Sequence, residues 1–219
     1  MFQTPEASHH TSVPSRGGAV IDAFLDGAEP EVWGSDLYTP QILTPATEHQ
    51  ICHSHPARDL TFASEADTGQ ERIWALDLRH VFGRGIRLQH EREQVMPETF
   101  AQRRLHIETA TDRLVFDAYV APKTEAARLQ QRSRAHRDSR YVFLYRPDVE
   151  PTNNRSVRAL HPSVIHRKFI GGFHSAWGAE ASSIRTSILA TARKQGQNLF
   201  DAFLAIAGPS PLQAIPAPA

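Results

Sequence analysis

Three stretches of the chain carry side chains whose types and spacing could do chemistry. The first is Asp36, in "SDLY", at the end of a short apolar run. A carboxylate at the carboxyl end of a strand faces the crevice where open α/β sheets gather ligands. The two-residue period of a strand puts Val32, Gly34 and Asp36 on one face. An Asp in that place also commonly caps a loop, and spacing does not separate the two roles. The second stretch is "CHSHPARD", with Cys52, His53 and His55. Cys-x-x-His is half of a zinc site, but no second pair has matching spacing, because His80, His90 and His106 are scattered. The reading is therefore a buried strand cysteine beside hydrogen-bonded histidines. The third runs from Pro151 to Gly178, "PTNNRSVRALHPSVIHRKFIGGFHSAWG", and holds no Asp or Glu. Asn153 or Asn154 can cap a helix there. Val157, Leu160 and Ile165 give that helix a buried side, with Pro162 kinking it. Arg158, Arg167 and Lys168 then point outward, toward solvent or a polyanion.

The elements that must position these groups read as follows. Residues 15–28 form a helix that Ser15 can cap, with Val20, Phe24 and Leu25 as its apolar stripe. Residues 31–38 and 50–55 are strands, and the stretch around Ile42, Leu43 and Ala46 is the helix between them. Strand, helix and strand with short links imply a parallel α/β layer. Helical composition takes over from Pro56, with a break expected at Gly83-Arg84-Gly85. Residues 123–140 are polar nearly all round, which fits an exposed helix or a mobile segment. "YVFLY" at 141–145 is an apolar plug. Residues 179–207 read as amphipathic helices, with Ile184, Ile188 and Ala192 on one stripe and a stop at Gly196. Phe200, Phe203, Leu204 and Ile206 form the apolar face of the last helix. The Pro-rich end is expected to be disordered.

Composition narrows the classes. A chain of 219 residues can bury a sizeable core. Its single cysteine rules out an intrachain disulfide and points to a reducing compartment, the cytoplasm. No apolar run is long enough to span a membrane, and the first residues lack the pattern of a signal peptide. "RGG" at 16–18 lacks the Gly-Lys-Ser/Thr ending of a phosphate loop. Net charge is zero but unevenly spread. Residues 1–121 carry 10 basic and 18 acidic side chains, and residues 122–168 carry 11 and 4. The basic stretch could neutralise phosphates, or form a solvated face paired with the acidic first half.

Read in order, "PSRGG", "AEPEVWGSDLYTPQ", "HQICHSHPARDLTFASE", "PTNNRSVRALHPSVIHRKFIGGFHSAWGAE" and "LATARKQG" resemble the insertion-sequence-sixty-six family of bacterial transposases. The likeness is densest over 14–65 and 148–207. It implies an α/β fold: a partial ribonuclease-H-like core, in 1–55 and 148–207, interrupted by a helical insertion at 56–147. C-terminal helices and a disordered tail at 208–219 complete the expectation.

Family resemblance also implies an Asp-Asp-Glu site, in which three carboxylates hold magnesium ions that activate an attack on DNA. Only clustered carboxylates can gather so much positive charge. Asp36 matches the second Asp. The first is expected upstream of Met1, which makes the chain a truncated one. The Glu belongs to an Asn-Asn-x-x-Glu-Arg pattern, in which this chain has Val157 at the Glu position, followed by Arg158. Valine cannot ligate magnesium, so binding of the metal at Asp36 is in doubt. The expected function is that of a transposase remnant, inactive in catalysis. Residual binding to DNA, such as transposon ends, would rest on Arg128, Arg132, Arg134, Arg158, Arg167 and Lys168. Two alternatives stay open: an active strand-transfer enzyme using Asp36 with substitute carboxylates, and a chain that forms homo-oligomers or joins a full-length transposase and inhibits it. No membrane partner is expected.

Overall fold

Prolines 30 and 40 bracket a short β-forming run, and a parallel strand pair forms as expected, although its second strand is Glu48–Ile51 where 50–55 was expected, because a helix already begins at Ser54. In the computed structural model, which describes residues 1–15 and 17–207, Val32–Ser35 (β3) pairs in parallel with Glu48–Ile51 (β4). The register sets Val32 opposite Glu48 and Ser35 opposite Ile51. The short helix Thr39–Ile42 (α2) lies between them, with Pro40 in its first turn, where a missing N–H costs nothing. The other two strands, Phe2–Gln3 (β1) and Ser8–His9 (β2), form an antiparallel pair. The whole is a mixed fold, 62% helical with little sheet. Among the described residues no helix is long and apolar enough to cross a membrane. The expected disordered tail at 208–219 lies outside the described residues.

Two units divide the chain. The larger, Gly17–Asn153, holds β3, β4 and most of the core. It begins with the helix Gly18–Leu25 (α1), whose N-cap is Gly17 and not Ser15. Of its expected stripe, Phe24 is exposed, and Ile21 is the residue that is buried. The helices Ser54–Ala66 (α3), Gly69–His90 (α4), Pro97–Asp112 (α5) and Glu125–Ala135 (α6) pack around Phe143 and Leu144 of the apolar plug, both fully buried. Each such side chain contributes roughly 1.5–3 kcal/mol.

The break expected at Gly83-Arg84-Gly85 does not occur, and α4 runs through it. Trp74, Leu78, Val81, Gly85 and Leu88 recur at helical spacing along its buried face. Burial of that face outweighs two glycine penalties of about 1 kcal/mol each. Gly85 is there for space: a Cβ would lie 3.2 Å from the Tyr141 ring and 3.6 Å from that of Phe143. Nothing crowds Gly83. Gly83→Ala is therefore expected to raise stability by about 1 kcal/mol. Gly85→Val should lower it by roughly 1–3 kcal/mol through overpacking. Urea melts of the two variants check both signs.

The polar segment 123–140 is neither mobile nor free-standing. Thr124 caps α6 by accepting from the Ala127 N–H at 3.1 Å, and the Asp67 carboxylate accepts from Ala126 N at 2.8 Å. A negative group at a helix N-terminus is favoured by the dipole. Ala126, Leu129 and Gln130 are buried. Gln130 donates to the carbonyls of Leu114 and Ala118, which belong to or follow a π-helical turn at Arg113–Asp117.

The smaller unit joins Met1–Arg16 to the chain from Asn154 onward. Its helices are Asn154–Phe169 (α7), Ala176–Lys194 (α8) and Leu199–Ala207 (α9). Gly196, at φ +67°, follows α8 as the sequence predicts. Hydroxyls four residues apart on α8 hold the N-terminal strands. Thr191 Oγ1 accepts from Ser8 N at 3.1 Å, Ser187 Oγ accepts from His10 N at 2.8 Å, and Ser183 Oγ donates to Ser12 Oγ at 2.9 Å. The expected apolar stripe is mostly outward: Ile184 and Ile188 are exposed, and Ala192 is buried. Phe200, Phe203 and Leu204 on α9 are exposed as well.

Candidate nucleic-acid interface

Asp36 follows β3 directly, at the carboxyl end of the parallel pair. Its Oδ1 accepts from the Tyr38 N–H at 3.0 Å, and Ser35 Oγ donates to its carbonyl at 2.9 Å. The side chain thus closes a local turn while staying partly open to solvent.

The end of β4 is a buried polar lock. Cys52 Sγ donates to Asn153 Oδ1 at 3.0 Å, and Asn153 N donates back to the sulfur at 3.2 Å. His53 N donates to Pro151 O at 2.9 Å. Asn153 therefore anchors the motif to the strand by its side-chain oxygen, which sequence reasoning had offered as a helix cap. His53 is fully buried, with its ring between those of Phe82, Tyr141 and Phe143 at 4.8, 5.4 and 5.2 Å. Its Nε2 donates to Arg140 O at 2.6 Å, while Nδ1 has no partner among the described residues. Burial pushes its pKa down to about 4. Gln50 completes the lock, donating to Ile51 O and accepting from Phe143 N at 3.0 Å. Sequence reasoning missed Gln50 and Arg140, because buried polar residues carry no periodic signal of their own.

The six cations expected to meet DNA fall into two groups. Arg128 pairs with Glu125 at 2.7 Å, and Arg132 pairs with Asp59. Arg134 Nε donates to Val115 O at 2.7 Å, a carbonyl of the π-helical turn. These three are already engaged within the larger unit. Arg158, Arg167 and Lys168 lie on α7 in the smaller unit, all exposed and without an ion pair among the described residues.

No residue of α7 is buried. The expected buried side of Val157, Leu160 and Ile165 is exposed at 48%, 37% and 45%. The spacing was right for a helix, but spacing does not say whether a partner covers the stripe. Pro162 lies inside the helix and leaves the Arg158 carbonyl without its usual donor, yet α7 continues to Phe169. It ends in a paired-bond stop. Gly172 N donates to Arg167 O at 2.8 Å and Gly171 N to Lys168 O at 3.4 Å, with φ at +104° and +68°. His166, Arg167 and Lys168 occupy the last turn, where the helix dipole favours cations.

The model of the Transposase IS66 family matches residues 2–181. The chain belongs to that family. No curated protein and no solved structure matches it. Membership makes this IS66-family chain a transposase-related protein whose expected partner is DNA. Transposases of the Asp-Asp-Glu type typically use magnesium. The described donors do not fit that ion. Asp36 Oδ1 is committed to a turn, and among the described residues no three His, Cys, Asp or Glu side chains are grouped to hold a metal.

Proposed function

We propose that this IS66-family chain binds DNA weakly without cutting or joining it. The observation that carries the reading is α7, an exposed helix on which Arg158, Arg167 and Lys168 make no ion pair among the described residues; by the family resemblance, Val157 takes the place of the Glu. The resemblance behind that assignment also supports a ribonuclease-H-like origin for β3 and β4, with 56–147 as the insertion between the two parts of the core. Asp36 then stands at the place of a family Asp, and without a partnering Glu it holds a divalent ion poorly. Binding rests first on Arg158, Arg167 and Lys168, which have no ion pair to leave among the described residues. Arg128, Arg132 and Arg134 would add to it only by giving up Glu125, Asp59 and the Val115 carbonyl.

Such binding is electrostatic, so it should fall steeply with salt and show little sequence preference. Anisotropy titrations of duplex DNA across a salt series test this. The expected result is measurable affinity at low salt that drops linearly on a logarithmic plot. Affinity that is unmeasurable at low salt, or independent of salt, contradicts the DNA-binding half of the proposal.

A further inference from the structure

We propose that the turn joining α7 to α8 binds unpaired DNA bases, with Phe169 and Trp177 as stacking platforms beside the basic last turn of α7. The inference rests on the DNA-binding reading above and specifies the form of DNA. Phe169 is 85% exposed and Trp177 77% exposed, the first at the end of α7 and the second in the first turn of α8. Neither ring supports a core, although such rings dominate cores elsewhere. The segment between them is shaped by backbone bonds: Gly171 and Gly172 adopt positive φ, and Ser175 caps α8 by accepting from Gly178 N at 3.0 Å. The rings are thus presented on two helix ends with a defined turn between them.

Charge selects the occupant. From Pro151 to Ala179 the chain has no Asp or Glu, while His166, Arg167, Lys168 and His174 lie within or beside the turn. A second copy docking the same surface against itself would bring these cations together. Phosphates would neutralise them. Ring faces can stack only on bases whose own faces are open, as in single strands and frayed ends, since duplex interiors are already stacked.

Anisotropy titrations with the full chain test this, using a labelled single strand of about 12 nucleotides and a blunt duplex of the same sequence. Phe169→Ala with Trp177→Ala should weaken single-strand binding by about tenfold to a hundredfold and duplex binding by less than about threefold. The conservative Phe169→Tyr and Trp177→Phe should stay within about threefold of the parent on both probes, since each keeps a stacking face. Both positions are exposed, so thermal melts of the variants should match the parent. Equal losses on both probes, or none, overturn the inference and leave duplex binding standing. Absence of binding to either probe overturns the DNA-binding reading itself. Sedimentation showing that the double substitution abolishes self-association, with single-strand affinity unchanged, assigns the rings to a second copy and overturns the inference.

Discussion

Acidification from about pH 7 to about pH 4 should remove about 3 kcal/mol of folding stability through His53 alone. Burial lowers the folded-state pKa from 6.5 to about 4, while in the unfolded chain the imidazole titrates near its ordinary value. Between those limits the unfolded state binds more protons than the folded one. Stability is therefore full above about pH 6.5 and is lost as the pH falls toward 4, with a slope of up to about 1.4 kcal/mol per unit. His10 and His136 are lowered too, each first by burial, and add in the same direction. Urea unfolding midpoints over this range measure the slope. His53→Gln keeps a donor for the Arg140 carbonyl but cannot titrate. It should flatten the profile whatever it does to stability at neutral pH. A profile equally steep in the variant would place the acid sensitivity elsewhere.

Replacing Arg158, Arg167 and Lys168 together with glutamine should lower duplex affinity by about a hundredfold near 0.1 M salt. It should also reduce the salt slope by about three, close to one counterion per lost contact. Among the described residues the three side chains make no ion pair, so their loss should leave the melt unchanged. Arg132→Gln is the contrasting case. It breaks a half-buried pair with Asp59 in the larger unit, and a loss of stability should exceed any loss of DNA affinity. An unchanged salt slope in the triple variant would move the interface away from α7.

The sequence made some of this legible and not the rest, for identifiable reasons. The β3–α2–β4 unit was readable because prolines punctuate it and its elements are short and closely linked, whereas the polar start of β4, Glu48-His49-Gln50, hid where that strand begins. "YVFLY" was readable as a plug because an apolar run in a polar context must go somewhere dry, although only Tyr141 to Leu144 are buried and Tyr145 is exposed. Gly83 and Gly85 misled because propensity is local, whereas the space required by Tyr141 and Phe143 is tertiary. The polarity of 123–140 misled in the same way. Gln130 and Arg134 reach the carbonyls of a π-helical turn, and Asp67 holds the end of α6, none of which spacing reveals. On α7 the error was opposite in sign, since an apolar stripe was legible but no cover for it. The hydroxyl series Ser183, Ser187 and Thr191 was a missed signal, visible in hindsight as a four-residue repeat that holds residues 8–12. For the candidate site, Val157 is proposed at the Glu position only through the family pattern, because nothing in its own surroundings marks that role.

As proposed above, this IS66-family chain binds DNA and leaves it intact. End-labelled duplex, incubated with the chain and magnesium or manganese and run on a denaturing gel, tests it most directly. Full-length strands are expected at protein concentrations where anisotropy shows the DNA is bound. Metal-dependent nicks or joined products that disappear with Asp36→Ala would contradict it.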